Sequence, residues 1–254
     1  MPVVLVEKQT PQISLITLNR PERRNALTIE LMNDLAGAIE TAAVDPIQRV
    51  LILRGAGKAF CTGLDLEAAA DASKAHATAE AVAHLLLTLA ETRLVTIATI
   101  HGAAVAGGAG IMSACDFVVA AERTKIGYPE VRRGLVAGIV MTFLRRQLRE
   151  RDLRELLLAS ELISAERAQE IGLVNRVVPV TELENEAQKI AASVLQGAPG
   201  AISNSKRLME ELWSTSVRKD IELALSHHMQ ARESIEAKEG IAAFNEKRPP
   251  NWVG

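Results

Sequence analysis

The sequence is short of cysteine, of aromatic side chains and of net charge, and each shortage excludes a class of protein. Its 254 residues include only two cysteines, Cys61 and Cys115, too few for a disulfide framework and without the CxxC spacing of a zinc or redox site. The net charge is −2, so no basic surplus points to nucleic acid. Aromatic residues make up 3% of the chain, which disfavours a surface that stacks bases or sugars.

Long apolar runs and metal-binding patterns are also missing. No stretch of 18 residues is free of charge and apolar throughout, which predicts that the chain does not span a membrane. The N-terminus has no basic segment followed by an apolar core, as a secretory signal would. The histidines show no ligand spacing, which predicts no metal site; they are His76, His84, His101, His227 and His228. We therefore expect a soluble, cytoplasmic protein.

What is present is an alternation of strand and helix patterns followed by helices alone. The predicted strands lie at 3–6, 13–18, 50–53, 95–100, 117–120 and 174–178. The predicted helices lie at 28–44, 74–92, 149–159, 164–171, 181–195, 198–213, 217–233 and 235–244. This order is typical of an α/β fold. We expect an α/β core over residues 1–195 and a helical region over residues 196–254.

A glycine-rich segment, residues 102–110, follows a predicted buried strand and precedes an apolar run that is compatible with a helix. Free N–H groups at such a junction can bind an anion. A phosphate loop is excluded because no Gly-Lys-Ser/Thr follows, and a dinucleotide site is weakly supported because Ser113 replaces its third glycine. An oxyanion hole at the Gly107 N–H remains, beside the alternative that the small residues only allow close packing.

Two further segments could carry chemistry. Residues 59–66 form a second loop of N–H groups after a buried strand, and Glu130 follows Pro129 in apolar surroundings. Burial would raise the pKa of Glu130 and suit it to acid/base work, although it could also complement a helix dipole in a first turn. No Gly-x-Ser-x-Gly elbow supplies a nucleophile. Carboxylates and backbone dipoles are therefore the candidates for the groups that carry the chemistry.

Seven segments, in order, give the chain a resemblance to the crotonase (enoyl-CoA hydratase/isomerase) superfamily over nearly its whole length. They are 19–27 (NRPERRNAL), 59–66 (AFCTGLDL), 101–108 (HGAAVAGG), 114–116 (ACD), 126–131 (IGYPEV), 172–174 (GLV) and 239–248 (EGIAAFNEKR). The resemblance implies a spiral of β-β-α repeats with a helical C-terminal region that makes a homotrimer or a dimer of trimers. It also implies an acyl thioester of coenzyme A as substrate, with no separate cofactor and no metal.

The resemblance also assigns roles to single residues. The oxyanion donors would be the N–H groups of Leu64 and Gly107, and Glu130 would be the acid/base. The substrate-binding positions it implies are Arg24, Ala26, Asp65, Leu66, Gly108, Gly110, Phe244 and Lys247.

One position departs from the family pattern. Typical hydratases carry a first glutamate three residues after the oxyanion glycine, where this chain has Gly110, so Glu130 stands alone. We expect water addition to a 2-enoyl-CoA, with double-bond migration by a single glutamate as the alternative. Rival classes are a non-catalytic acyl-CoA-binding protein, a dinucleotide-dependent oxidoreductase and an RNA-binding relative. The length and branching of the acyl chain remain open.

Overall fold

The computed structural model describes residues 1–65 and 72–253. Its main sheet has six strands in the order β1-β2-β3-β4-β6-β9, parallel throughout except for the antiparallel pair β1 and β2. A small sheet of order β5-β7-β8 lies beside it. The strands are β1 Val4–Thr10, β2 Ile13–Leu18, β3 Val50–Gly55, β4 Val95–Ile100, β5 Ala103–Val105, β6 Phe117–Ala121, β7 Lys125–Gly127, β8 Ile163–Ser164 and β9 Arg176–Val178.

Helices cover the main sheet and form the C-terminal part of the chain. They are α1 Ile29–Val44, α2 Ala75–Glu91, α3 Gly107–Ala114, α4 Gly138–Gln147, α5 Glu150–Arg154, α6 Ala165–Glu170, α7 Leu183–Leu195, α8 Pro199–Glu211, α9 Val217–Arg232 and α10 Ile235–Asn245. Within the described residues, no helix combines the length and the apolar character needed to cross a bilayer. The predicted α/β fold with a helical C-terminal region is confirmed.

The local sequence explains the central elements. Strands β2 and β4 are buried along their whole length, as continuous apolar runs require when a parallel sheet is covered on both faces. Helix α1 begins where predicted, because the Thr28 hydroxyl accepts a hydrogen bond from the Leu31 N–H and caps the helix. Its apolar face packs on the sheet through Leu31, Leu35 and Ile39, all fully buried.

Three details differ from the sequence-based expectation. The glycine-rich segment is not one loop: it contains strand β5, and α3 begins at Gly107. The predicted helix 149–159 continues beyond α5 as a π-helical turn. Strands β7 and β8 and helix α4 were not predicted, and for the strands two or three residues are too few to show an alternation.

The C-terminal helices fold back on the rest of the chain. Helix α9 packs against α4 and α2, and its Val217 and Ile221 belong to the main hydrophobic core. Helix α10 lies against the short 3-10 helix Pro129–Arg133. The close contact has a simple cause: Gly134 and Gly240 lack the Cβ atoms that would meet the backbone of Glu236 and Arg133.

We expect Ile221→Ala to lower the free energy of unfolding by about 2–5 kcal/mol, because it opens a cavity in the shared core. Denaturant unfolding followed by circular dichroism should show one transition, shifted to lower denaturant. The exposed Leu223 on the same helix provides the control, and Leu223→Ala should change stability far less. Two separate transitions would show that the helical region unfolds independently of the core.

Candidate active site

A cavity of about 920 Å³ opens between the loops after β2 and β3, the start of α3, the Pro129–Arg133 helix and the C-terminal helices. Most of the predicted site residues line this cleft, namely Arg24, Ala26, Leu64, Asp65, Gly107, Glu130, Phe244 and Lys247. Leu66 lies outside the described residues. The fold therefore brings positions that are more than 200 residues apart in the sequence to one cavity.

The Leu64 N–H is aimed by a short parallel bridge with Leu27. The Leu27 N–H donates to the Gly63 carbonyl at 2.8 Å, and the Asp65 N–H donates to the Leu27 carbonyl at 2.9 Å. In such a bridge the residue between the two bonded neighbours turns its own N–H to the opposite side. The Leu64 N–H is therefore directed away from Leu27.

The second N–H group belongs to Gly107, the first residue of α3. The first N–H groups of an α-helix have no acceptor within the helix, and they lie at its positive end. The two loops touch at Gly63, where an added Cβ would lie 2.9 Å from the Ala106 Cβ and 3.3 Å from the Gly107 nitrogen. Gly63 has φ +87°, so a side chain there is excluded by conformation as well as by space.

Ala106 sets the direction in which α3 begins. Its φ of 50° and ψ of −123° lie in a region that favours glycine, at a cost of about 1–3 kcal/mol. The conformation is held from both sides, because the Ala106 N–H donates to the Gly127 carbonyl at 2.8 Å and its carbonyl accepts from the Gly110 N–H at 2.9 Å. The strained backbone conformation of Ala106 thus lies directly before the Gly107 N–H.

Asn25 fixes the loop after β2 to the loop after β3, a role that the sequence did not reveal. Its buried amide nitrogen contacts the carbonyl oxygens of Ala56, Ala59 and Phe60 at 2.9–3.0 Å, and its oxygen accepts from the Arg20 N–H at 2.9 Å. Its φ is +54°, which asparagine tolerates better than most residues. In the sequence, the asparagine itself was the one signal that could have indicated this role.

Asp65 lines the cleft, but its carboxylate faces two arginines. Arg20 and Arg23 each lie 3.2 Å from it, and Asp65 is almost fully buried. The Arg20 guanidinium also donates to the Ala26 carbonyl. An acidic group compensated in this way holds the loop 20–26 in place rather than exchanging protons.

Glu130 is a carboxyl group that lines the same cleft as the two N–H donors. It follows Pro129 in the 3-10 helix that begins after Tyr128, whose buried hydroxyl lies 2.8 Å from the Ser113 hydroxyl on α3. Burial raises the pKa of Glu130 to about 7. Its Oε2 atom is buried and has no hydrogen-bond partner in the part of the chain that the structure describes. Glu130 does occupy a first helical turn, as the alternative proposed, but it also faces the cleft.

Gly108 and Gly110 lie behind the cleft rather than on it. A Cβ at Gly108 would collide with the Cys61 carbonyl, and one at Gly110 would lie 2.5 Å from the Val140 Cγ1. Val140 itself lines the cleft. Gly110 therefore packs against the wall of the cavity, and the position at which typical hydratases carry their first glutamate is a glycine here.

The C-terminal residues close one side of the cleft. The half-exposed Phe244 ring lies under the Arg133 guanidinium, 4.6 Å from ring centre to carbon. Lys247, just beyond α10, has φ +55° and also lines the cavity. The described residues contain no group of three or more histidine, cysteine or acidic side chains that could hold a metal ion.

Comparison with known proteins agrees with this geometry. A family model described as enoyl-CoA hydratase/isomerase matches residues 8–254. A putative enoyl-CoA hydratase of Thermus thermophilus is 36% identical over 98% of this chain and 100% of its own length. A probable enoyl-CoA hydratase of Mycobacterium bovis is 33% identical over 98% of this chain and 97% of its own length. The crystal structure of an enoyl-CoA hydratase from Mycobacterium avium superposes with a TM-score of 0.87 at 33% identity and covers 100% of both chains.

The raised pKa of Glu130 predicts a pH-dependent effect of Glu130→Gln on stability. Because the folded-state pKa is above the ordinary value, this group contributes most to stability below about pH 4.5, and the contribution is lost as pH rises through about 7. Glutamine cannot ionise, so the variant should gain stability relative to the parent between pH 5 and pH 8. Urea unfolding of the parent and the variant at pH 5 and pH 8 measures this difference in stability. The exposed Glu122→Gln serves as control, and an equal effect of Glu130→Gln at both pH values would contradict the assignment.

Proposed function

The chain belongs to the enoyl-CoA hydratase/isomerase family, and on that premise we propose that it adds water to a 2-enoyl-CoA through an enolate of the thioester. One observation carries the proposal. The loop that carries Leu64 packs against the Gly107 backbone at Gly63, and the cleft that Leu64 and Gly107 line also holds a buried carboxyl group whose pKa is about 7. N–H donors stabilise negative charge on the thioester oxygen, and a carboxyl with this pKa can both take and give a proton near neutral pH.

The proposed reaction uses the two N–H donors for the thioester oxygen and Glu130 for both proton transfers. The thioester oxygen accepts hydrogen bonds from the Leu64 and Gly107 N–H groups. Water forms a bond to C3, the electron pair of the double bond moves towards the thioester oxygen, and C2 receives a proton. The Glu130 carboxylate takes a proton from water and supplies one to C2, so it returns to its starting form. Removing one oxyanion donor typically costs about 3 kcal/mol of barrier.

The outer part of the cleft suits the phosphates of coenzyme A. Basic side chains line it at Arg24, Lys247 and Arg248. Arg248 is held by Glu239 and Glu246, whereas Arg24 is exposed at the end of its loop. Positive charge at the mouth binds the phosphates there, and the thioester reaches the part of the cleft near Glu130 in this proposal. A purely acyl-CoA-binding protein would have no use for a buried carboxyl whose Oε2 is unpartnered in the described residues.

Double-bond migration is the second candidate, and Gly110 favours it. Moving the double bond from C3–C4 to C2–C3 requires one base that removes a proton from C2 and returns it to C4. No water molecule has to be held. Glu130 alone could do this, since no carboxylate stands at Gly110. The same oxyanion donors would stabilise the dienolate formed between the two proton transfers.

We extend the proposal to assembly and location. Helix α8 has no buried residue, and large apolar side chains are exposed on or just beyond it at Leu208, Met209, Leu212 and Trp213. A surface of this kind supports a homotrimer or a dimer of trimers.

The two cysteines are buried and form no disulfide, and burial raises both thiol pKa values to about 12. Free thiols of this kind fit a protein of the reducing cytoplasm.

Product analysis in heavy water tests the reaction. With 2-enoyl-CoA, hydration should add one D₂O in the mass spectrum, whereas migration from 3-enoyl-CoA should leave the formula unchanged apart from exchanged deuterium.

Glu130→Gln should lower kcat by two to four orders of magnitude with little change in thioester affinity. Because the base must start ionised, kcat/KM of the parent should rise with pH through about 7. Full activity of Glu130→Gln would overturn the proposal.

Gly110→Glu tests why the family's first glutamate is absent. The new Cβ would meet Val140 at 2.5 Å, so the single variant should lose about 1–3 kcal/mol of stability. Gly110→Glu with Val140→Ala should recover part of that stability and raise the rate of water addition to crotonyl-CoA, with Val140→Ala alone as control. A well-folded double variant with an unchanged hydration rate would show that position 110 does not reach the reacting carbons.

A further inference from the structure

Arg133 shares a helix face with the acid/base residue. In a 3-10 helix the side chains at positions i and i+3 eclipse one another. The helix Pro129–Arg133 therefore turns Glu130 and Arg133 to the same side, and both line the cleft. Val131 and Arg132 are exposed on the other side. With a rise of about 2 Å per residue, the backbones of Glu130 and Arg133 are roughly 6 Å apart along the helix.

The Arg133 guanidinium is partly buried and poorly compensated. One of its terminal nitrogens donates to the Pro129 carbonyl at 3.3 Å, and its flat face lies over Phe244. Among the described residues, its Nε is buried without a hydrogen-bond partner, and Glu130 is the one carboxylate that attracts it, at a distance too long for an ion pair. Burial lowers the pKa of Arg133, which records the cost of keeping this charge out of water. An anion that entered the cleft would offset that cost.

Two more basic side chains line the cavity. His228 and Arg232 lie one turn apart on α9. The His228 Nδ1 is 3.2 Å from the Val136 carbonyl, and burial lowers the pKa of His228, so this side chain adds no positive charge near neutral pH. The surrounding wall is apolar, with Val136, Ala137 and Val140. A cavity shaped only for a hydrocarbon chain would gain nothing from a partly buried guanidinium such as that of Arg133.

We propose that the acyl group of the substrate carries a carboxylate, which Arg133 binds, so that the preferred substrate is a carboxylated enoyl-CoA. This rests on the proposed function. The planar guanidinium matches a carboxylate with two parallel hydrogen bonds. The spacing from Glu130 sets the position of the anion: it must lie only a few bonds from C2 and C3. The coenzyme phosphates lie much farther from those carbons, and the basic mouth at Arg24 and Lys247 is available to them.

A matched pair of substrates tests the proposal. Glutaconyl-CoA is crotonyl-CoA with a carboxylate on its terminal carbon, and 2-hexenoyl-CoA has a similar length without charge. We expect the parent protein to show a kcat/KM at least tenfold higher for glutaconyl-CoA. Arg133→Met removes the charge and keeps most of the volume, and it should reduce that ratio by about 10- to 100-fold, as expected for a charged hydrogen-bonded pair. Arg133→Lys should retain part of the preference.

Using the ratio removes any effect of Arg133 on Glu130, because that effect acts on both substrates. Arg132→Met is the control, since Arg132 is the exposed neighbour on the same helix, and thermal melting confirms folding. Equal losses on the two substrates would overturn the proposal and assign Arg133 to the coenzyme phosphates or to the fold. A parent that prefers 2-hexenoyl-CoA would also overturn it.

Binding measurements separate this inference from the proposed function. If neither thioester is turned over, the proposed function fails, but calorimetric affinities still report the charge preference. Tighter binding of glutaconyl-CoA that Arg133→Met abolishes would support carboxylate recognition even then. Equal affinities for both thioesters would refute it. If 2-hexenoyl-CoA is turned over as well as glutaconyl-CoA, the inference alone fails.

Discussion

The site depends on the close approach of two loops at Gly63. A backbone without a side chain at this point lets the loop after β3 lie against Ala106 and Gly107, where any Cβ would come within 3 Å of a neighbour. Asn25 holds the other side of the same loop through three backbone carbonyls. The Leu64 and Gly107 N–H groups are therefore positioned by backbone packing, not by their own side chains. This explains why the side chain at position 64 can be a large apolar leucine.

Much of the fold followed from patterns of burial. Continuous apolar runs marked the central strands, and Thr28 marked the start of α1, because a buried parallel sheet and a helix cap each leave a local signature. The short strands β5, β7 and β8 could not be predicted. Two or three residues show no alternation, and their pairing joins segments that are about 20 to 40 residues apart.

The site was predicted unevenly for a similar reason. The glycine-rich segment and the Pro-Glu pair pointed to Gly107 and Glu130, and the resemblance to the crotonase superfamily added Leu64. The surroundings of Gly110 depend on Val140, thirty residues later, and no local pattern shows which helix packs there. Arg133 was missed because no sequence motif marks it. Its place on the cleft follows from how the Pro129–Arg133 helix packs against α10, a helix about 100 residues later in the chain.

The separation of Glu130 from Arg133 is as important as their shared face. An arginine in direct contact typically lowers the pKa of a carboxyl by 1–3 units, which would leave Glu130 unable to hold a proton near neutral pH. Arg133 instead donates to the Pro129 carbonyl and lies over Phe244, so burial dominates and the pKa of Glu130 stays near 7. The C-terminal helix α10 thus contributes to the acid/base group through Phe244. By supplying this ring, it holds the cation where it lines the cleft, while burial outweighs the effect of that cation on the Glu130 carboxyl.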